Sequence, residues 1–141
     1  MKRDVIKRYL RKNKIDKVTY KYLAASRKAT DILGRSGGAL YGLYSDDDHL
    51  LYLGYAQNLA SRIGSHFNGN TNTSEFAHLV KYARYTYELD AIRSAYDKRV
   101  QEKYPDIEIQ DIEFFAIKLL KPIFNQEKAE HLIFRYRDEK I

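Results

Sequence analysis

ALYGLYSDDDHLLYLGYAQNLASRIGSHF (residues 39–67) is the stretch whose reading decides the fold. ALYGLYS reads as a strand, DDDH as a turn and LLYLG as a second strand, because apolar and aromatic runs flank a polar cluster. The gap is short enough for an antiparallel hairpin. Asn58 then stands where a helix N-cap is expected, and Leu59, Ile63 and Phe67 follow at helical spacing. Within this stretch Tyr44 and Tyr52 lie near the ends of the two strands, where a hairpin can bring them into one neighbourhood. Arg62 follows on the helix, and His66, four residues later, shares its face.

Working outward, Ser36-Gly37-Gly38 marks a break that sets off an arm, residues 1–38, from a body, residues 39–125. In the arm, residues 4–12 can form a short basic helix, and Thr19 can cap a second one ending near Gly34. Two such helices fit either a helix-turn-helix fragment or an arm packed on the body. In the body, NGNTNTS (68–74) reads as a polar loop. SEFAHLVKYA reads as a helix capped by Ser74, and residues 83–88 as a third strand. A charged helix follows from Leu89 and stops before Pro105, making residues 89–109 a helical insert. DIEFFAIKLL is an apolar-faced helix ending before Pro122. The tail, 126–141, fits a short helix or an edge strand. The expected class is therefore α+β, a small three-stranded antiparallel sheet flanked by helices with a basic helical arm.

The 141 residues suit one domain of ordinary size. There is no cysteine, which excludes disulfides and zinc-thiolate sites. No apolar run approaches the roughly 20 residues that cross a bilayer, and the basic start lacks the apolar core of a secretory signal. No membrane partner and an intracellular location are expected. The formal net charge is +6, and it is uneven. Residues 1–35 carry 12 Lys or Arg against 3 Asp, while the remainder is slightly acidic. A basic arm beside a near-neutral body suits a polyanionic partner, and it also serves solubility. Lys7, Arg8, Arg11 and Lys12, within one basic helix, are the candidates for gripping phosphates. The 13 tyrosines can stack on bases or build a wet core, so their number alone decides little.

Two distant residues join the set. Glu113 lies near the start of the helix that carries FFAI and LL, and Asn125 follows the proline that ends it. Taken singly, each candidate has an ordinary reading. Tyr44 and Tyr52 suit the edge of a core, Arg62 a solvated helix, His66 a structural position, Glu113 a helix start and Asn125 a turn.

Together, in order, they resemble the GIY-YIG nuclease family. The two tripeptides appear as Gly42-Leu43-Tyr44 and Tyr52-Leu53-Gly54, followed by Asn58, Arg62 and His66. Glu113, Pro122 and Asn125 resemble the family's later helix and its closing Lys-Pro-x-x-Asn segment. The resemblance covers about residues 39–125. It implies a metal-dependent endonuclease that cuts DNA, expected to be duplex, to 5′-phosphate and 3′-hydroxyl ends. It implies one Mg2+ or Mn2+ bound by Glu113, with Arg62 neutralising phosphorane charge. A tyrosine activates water; the candidates are Tyr44 and Tyr52, with Tyr44 favoured and Tyr52 orienting the water. His66 would contact phosphate or relay a proton, and Asn125 would tie the helix end to the site. Gly42 and Gly54 would permit close backbone approach. Tyr55 and Ala56 depart from the family's usual residues after the second tripeptide, and no lysine stands at the first of them. The layout suits a free-standing restriction or phage endonuclease of a bacterial or phage-infected cell, and a homodimer would allow double-strand cleavage. The competing readings are a non-catalytic DNA-binding protein using the arm, an RNA-binding or RNA-processing module, and a protein-contact module.

Overall fold

In the computed structural model, the structure describes residues 3–25, 33, 37–69, 73–94 and 109–125. The expected tail, and most of the insert expected at 89–109, lie outside the described residues.

Four strands form one antiparallel sheet in the order β1-β4-β2-β3. They are β1 (Lys14–Asp16), β2 (Ala39–Tyr44), β3 (Leu50–Ala56) and β4 (Tyr82–Thr86). The helices are α1 (Arg3–Leu10), α2 (Lys17–Ala25), α3 (Leu59–Phe67), α4 (Leu89–Ser94) and α5 (Ile109–Leu120), with a 3-10 helix at Ser74–Leu79. The α+β class and the antiparallel hairpin are as expected. The hairpin pairs Tyr41 with Gly54 and Leu43 with Tyr52, and its register shifts by one residue between Leu43 and Tyr44.

The sheet is covered on both faces, and so every residue of the central strand β2 is buried. Side chains alternate along a strand, so Tyr41 and Leu43 project to one face and Leu40 to the other. On the first face, Tyr41, Leu43 and Tyr52 pack with Leu59, Ile63 and Phe67 of α3, with Tyr20 and Leu23 of α2, and with Phe76. On the second, Leu40 and Leu53 pack with Ile6 and Leu10 of α1 and with Ile112, Ala116, Ile117 and Leu120 of α5.

The arm departs from the expected pair of helices. Between α1 and α2 it contributes β1, which pairs with β4 through Lys14↔Arg84, Ile15↔Ala83 and Asp16↔Tyr82. The three expected strands thus gain a fourth. A strand built into the sheet replaces the tight turn of a helix-turn-helix, so the arm is part of the body's packing. Asp16, not Thr19, caps α2: its carboxylate accepts from the Thr19 backbone N–H at 2.7 Å and the Thr19 hydroxyl at 2.9 Å. The segment after 73 is likewise shorter and tighter than the expected helix. It is a 3-10 turn, and no side chain caps its start at Thr73.

Leu10 is fully buried in the second layer. Leu10→Ala should cost about 2–5 kcal/mol of unfolding free energy in a denaturant titration. A loss below about 0.5 kcal/mol would mean that the arm is a detachable appendage.

Candidate active site

The polar groups of the first face converge on Tyr41. Its hydroxyl lies 2.6 Å from His66 Nε2. His66 Nδ1 lies 2.8 Å from Thr73 Oγ1. Tyr41, His66 and Thr73 are all buried. When Thr73 Oγ1 accepts from Nδ1–H, Nε2 is left as acceptor for the Tyr41 hydroxyl. Tyr52 completes the cluster, its ring centroid 5.4 Å from His66 and 6.4 Å from Tyr41.

Backbone geometry explains why these groups meet. Tyr41 faces Gly54 across the hairpin. A Cβ at Gly54 would collide with the Tyr41 hydroxyl and ring, so the phenol crosses β3 only because the glycine is bare. What approaches Gly54 closely is therefore a side chain, not the backbone that the sequence reading anticipated. The same holds at Gly42, where an added Cβ would come within 2.8 Å of Leu50 Cδ1 and 2.9 Å of Tyr44 Cε2.

Asn58 caps α3 as expected, accepting from Ser61 N–H at 3.1 Å. That helix presents Arg62, which is exposed, and His66, one turn later and buried. The Arg62 guanidinium is close enough for its positive charge to favour the ionised form of the Tyr41 phenol. Burial, with smaller contributions from Tyr52 and Glu113, pushes the Tyr41 phenol well above its ordinary value, and Arg62 offsets part of that. The carboxyl of Glu113 on α5 is buried and close enough for its charge to reach Tyr41.

Asn125 clamps the edge of the sheet. Its Oδ1 accepts from Leu53 N–H at 2.6 Å, and its Nδ2 donates to the Leu53 carbonyl at 2.9 Å. The Ile123 and Phe124 N–H groups donate to Leu50 and Leu51. Residues 123–125 thus cover the unpaired edge of β3. Phe124, partly exposed, stacks on Phe76 at 4.1 Å, and Phe76 in turn lies 6.2 Å from Tyr52.

Of the six expected site residues, Tyr52, Arg62, His66 and Glu113 gather around Tyr41, and Asn125 holds the strand that carries Tyr52. Tyr44 does not join them. It lies three positions after Tyr41, and the two-residue period of a strand sends it to the opposite face. There its ring stacks on Tyr82 at 5.2 Å. The expected meeting of Tyr44 and Tyr52 is not formed. The place is taken by Tyr41, which the sequence reading missed. The available signal was Ala39-Leu40-Tyr41, a tripeptide of the same shape three residues earlier with alanine in the glycine's place. Thr73, within the segment read as a polar loop, was also missed. The four arm cations are divided: Lys7 and Arg11 line a cavity with Tyr44. Lys12 pairs with Glu88 at 3.6 Å and lies over the Tyr9 ring, while Arg8 is exposed.

The sequence model of the GIY-YIG catalytic domain matches residues 37–127. The chain belongs to the GIY-YIG family. No curated protein and no solved structure matches it. The matched span of this GIY-YIG domain holds the whole Tyr41 cluster and ends just past Asn125. The arm strand β1 lies outside it. A nuclease domain acts on nucleic acid, and nucleases of this superfamily generally use divalent metals. No helix among the described residues is long and apolar enough to cross a membrane.

Gly54→Ala should displace the Tyr41 ring and break its bond to His66. In an NMR or crystallographic comparison the fold should persist while Tyr41 and His66 separate; an unmoved Tyr41 would contradict the packing argument. A second expectation concerns alkali. Burial, the largest cause, pushes Tyr44 up to about 12 from an ordinary value of 10.0. Between those values the unfolded chain loses the proton and the folded chain keeps it, so stability falls as pH rises. Tyr44→Phe should lessen that fall in denaturant titrations between pH 10 and 12; an unchanged slope would contradict the burial argument.

Proposed function

We propose that the protein is a metal-dependent endonuclease that hydrolyses DNA phosphodiester bonds, leaving 5′-phosphate and 3′-hydroxyl ends. The observation that carries the reading is the buried chain from the Tyr41 phenol through His66 to Thr73, with Arg62 and the Glu113 carboxyl near enough for their charges to reach the phenol.

A phenol so strongly held neutral is a poor base by itself, since forming a free phenolate in this setting is costly. Passing the proton on avoids the phenolate and puts the charge on an imidazole, a far stronger base than a neutral phenol. The attacking water gives its proton to the Tyr41 oxygen while the Tyr41 proton moves to His66 Nε2. His66 becomes imidazolium, still held through Nδ1–H by Thr73. Tyr41 returns to the neutral form, and no free phenolate accumulates. Tyr52 orients the water from the adjoining strand.

Arg62 acts through its charge in two ways. Its planar guanidinium suits two phosphate oxygens and the charge that grows on them. Its positive charge also favours ionisation of the Tyr41 phenol, against the effect of burial. Asn125 acts through position, keeping β3, and with it Tyr52, in register.

For the metal, the donor set fits a hard, strongly hydrated cation. Glu113 is a buried oxygen donor, and among the described residues no group of three or more His, Cys, Asp or Glu gathers around one point. One carboxylate with water and substrate oxygens completing the shell is how Mg2+ or Mn2+ is commonly held. Bound at Glu113, the ion would supply Lewis-acid stabilisation of the phosphorane and of the departing 3′ oxygen. One such site nicks one strand, so double-strand cleavage calls for a homodimer or a second binding event.

A supercoiled-plasmid assay tests the reading. The native protein should convert plasmid to nicked or linear DNA with Mg2+ or Mn2+ and not in EDTA. Tyr41→Phe and Glu113→Ala should each lower the rate by about 100-fold or more. Tyr44→Phe should lose much less than Tyr41→Phe. The reverse ranking of the two tyrosines would remove Tyr41 from the reaction. Cleavage of RNA with duplex DNA left intact would transfer the site to RNA processing.

A further inference from the structure

The face of β2 that Tyr41 does not use builds a second concavity. It encloses about 310 Å³ and lies at the turn end of the hairpin. Lys7 and Arg11 reach it from the arm, Arg84 from β4 and Lys121 from the end of α5. Against these four cations stands one lining carboxylate, Asp48, with His49 beside it. The rest of the wall is Leu50, Leu120, Ile123 and the Tyr44 ring. Three chain segments, far apart in sequence, thus bring positive charge to one small space.

Two features show that this space is held in shape. Arg84 is fixed: its Nη2 lies 3.7 Å from Asp48, its Nη1 donates to the Arg11 carbonyl at 3.5 Å, and its guanidinium lies 5.7 Å from the Tyr44 ring centroid and 5.3 Å from that of Tyr82. The backbone is also unusual here. Among the described residues only two non-glycines adopt positive φ, Asp48 at 62° and Lys121 at 50°, and both line the cavity. The residue that turns left-handed past a helix end is usually glycine, because a side chain is unfavourable there. A lysine at that place keeps an ammonium near the helix C-terminus, where the dipole favours a cation, and the residue lines the cavity. Left-handed non-glycine residues of this kind concentrate where ligands bind.

We propose that this cavity binds a single nucleotide unit with a terminal phosphate, the phosphate held by Lys7, Arg11, Arg84 and Lys121. Several cations lining one cavity suit a phosphomonoester dianion better than the single charge of a diester link. The apolar and aromatic wall suits the body of a nucleotide, and the volume takes one unit, not a duplex. The nucleotide is either free or the terminal unit of an oligonucleotide; the chemistry recognised is the same. The site lies on the opposite face of the sheet from Tyr41 and about 10 Å along β2 from it, taking the strand rise over three residues. Its occupancy therefore stands apart from the proposed cleavage reaction.

Calorimetric titration of the full chain in EDTA tests this without any catalytic step. Adenosine 5′-monophosphate should bind saturably and at least about tenfold more tightly than adenosine or inorganic phosphate, the scale of one charge-assisted contact. Arg84→Gln and Lys121→Gly should each weaken it by about tenfold. Lys121→Gly should also raise Tm, because glycine relieves the left-handed backbone, so its loss of binding cannot come from unfolding. A tetranucleotide with a 5′-phosphate that outcompetes the mononucleotide assigns the site to a strand end; the opposite order assigns it to the free nucleotide. Equal affinity for adenosine, equal affinity for inorganic phosphate, or unchanged binding by both variants would overturn the proposal.

Discussion

The passage of the Tyr41 phenol across the bare backbone of Gly54 is the contact on which the candidate active site depends. It turns a core tyrosine into the centre of a polar cluster by letting its oxygen reach past β3 to the Arg62 and His66 face of α3. Everything else holds that crossing in place. The Asn58 cap sets where α3 begins and so where its side chains point. Thr73 fixes the far side of the imidazole. Asn125 pairs with both backbone groups of Leu53, the residue before Gly54, and so holds the strand being crossed.

A polar chain of this kind is tolerated in a buried layer only because its members satisfy one another. It also carries the chemical tension of the site. Burial keeps the phenol protonated, Arg62 pulls the other way, and His66 offers the proton a destination. The same burial that makes a free phenolate costly is what the proposed relay through His66 would avoid.

The two faces of β2 serve different ends. One face presents Tyr41 to the α3 layer. The other presents Tyr44 to a cavity whose walls come from the arm, β4 and the end of α5. Because the arm contributes β1 to the sheet and Ile6 and Leu10 to the core, its cations are placed by packing and not by a flexible tether. Lys7 and Arg11 therefore line that cavity together, while Lys12 turns to Glu88.

The sequence by itself determined the class, the hairpin, α3 with its Asn58 cap and the helix ending before Pro122, and it put Tyr52, Arg62, His66, Glu113 and Asn125 into one candidate set together with Tyr44. These are local or nearly local facts, carried by periodicity, capping chemistry and motif order. Only the tertiary structure decided which tyrosine meets that set. Tyr41 and Tyr44 both close a tripeptide of the right shape, and choosing between them needs the register against β3 and the face each side chain takes. Strand β1 was hidden for a related reason: KID is too short for its own pattern to speak, and it is a strand only because β4 offers an edge beside it. The clustering of Lys7, Arg11, Arg84 and Lys121 was likewise out of reach, since four charges spread over more than a hundred residues meet only when the sheet is folded between its two helical layers.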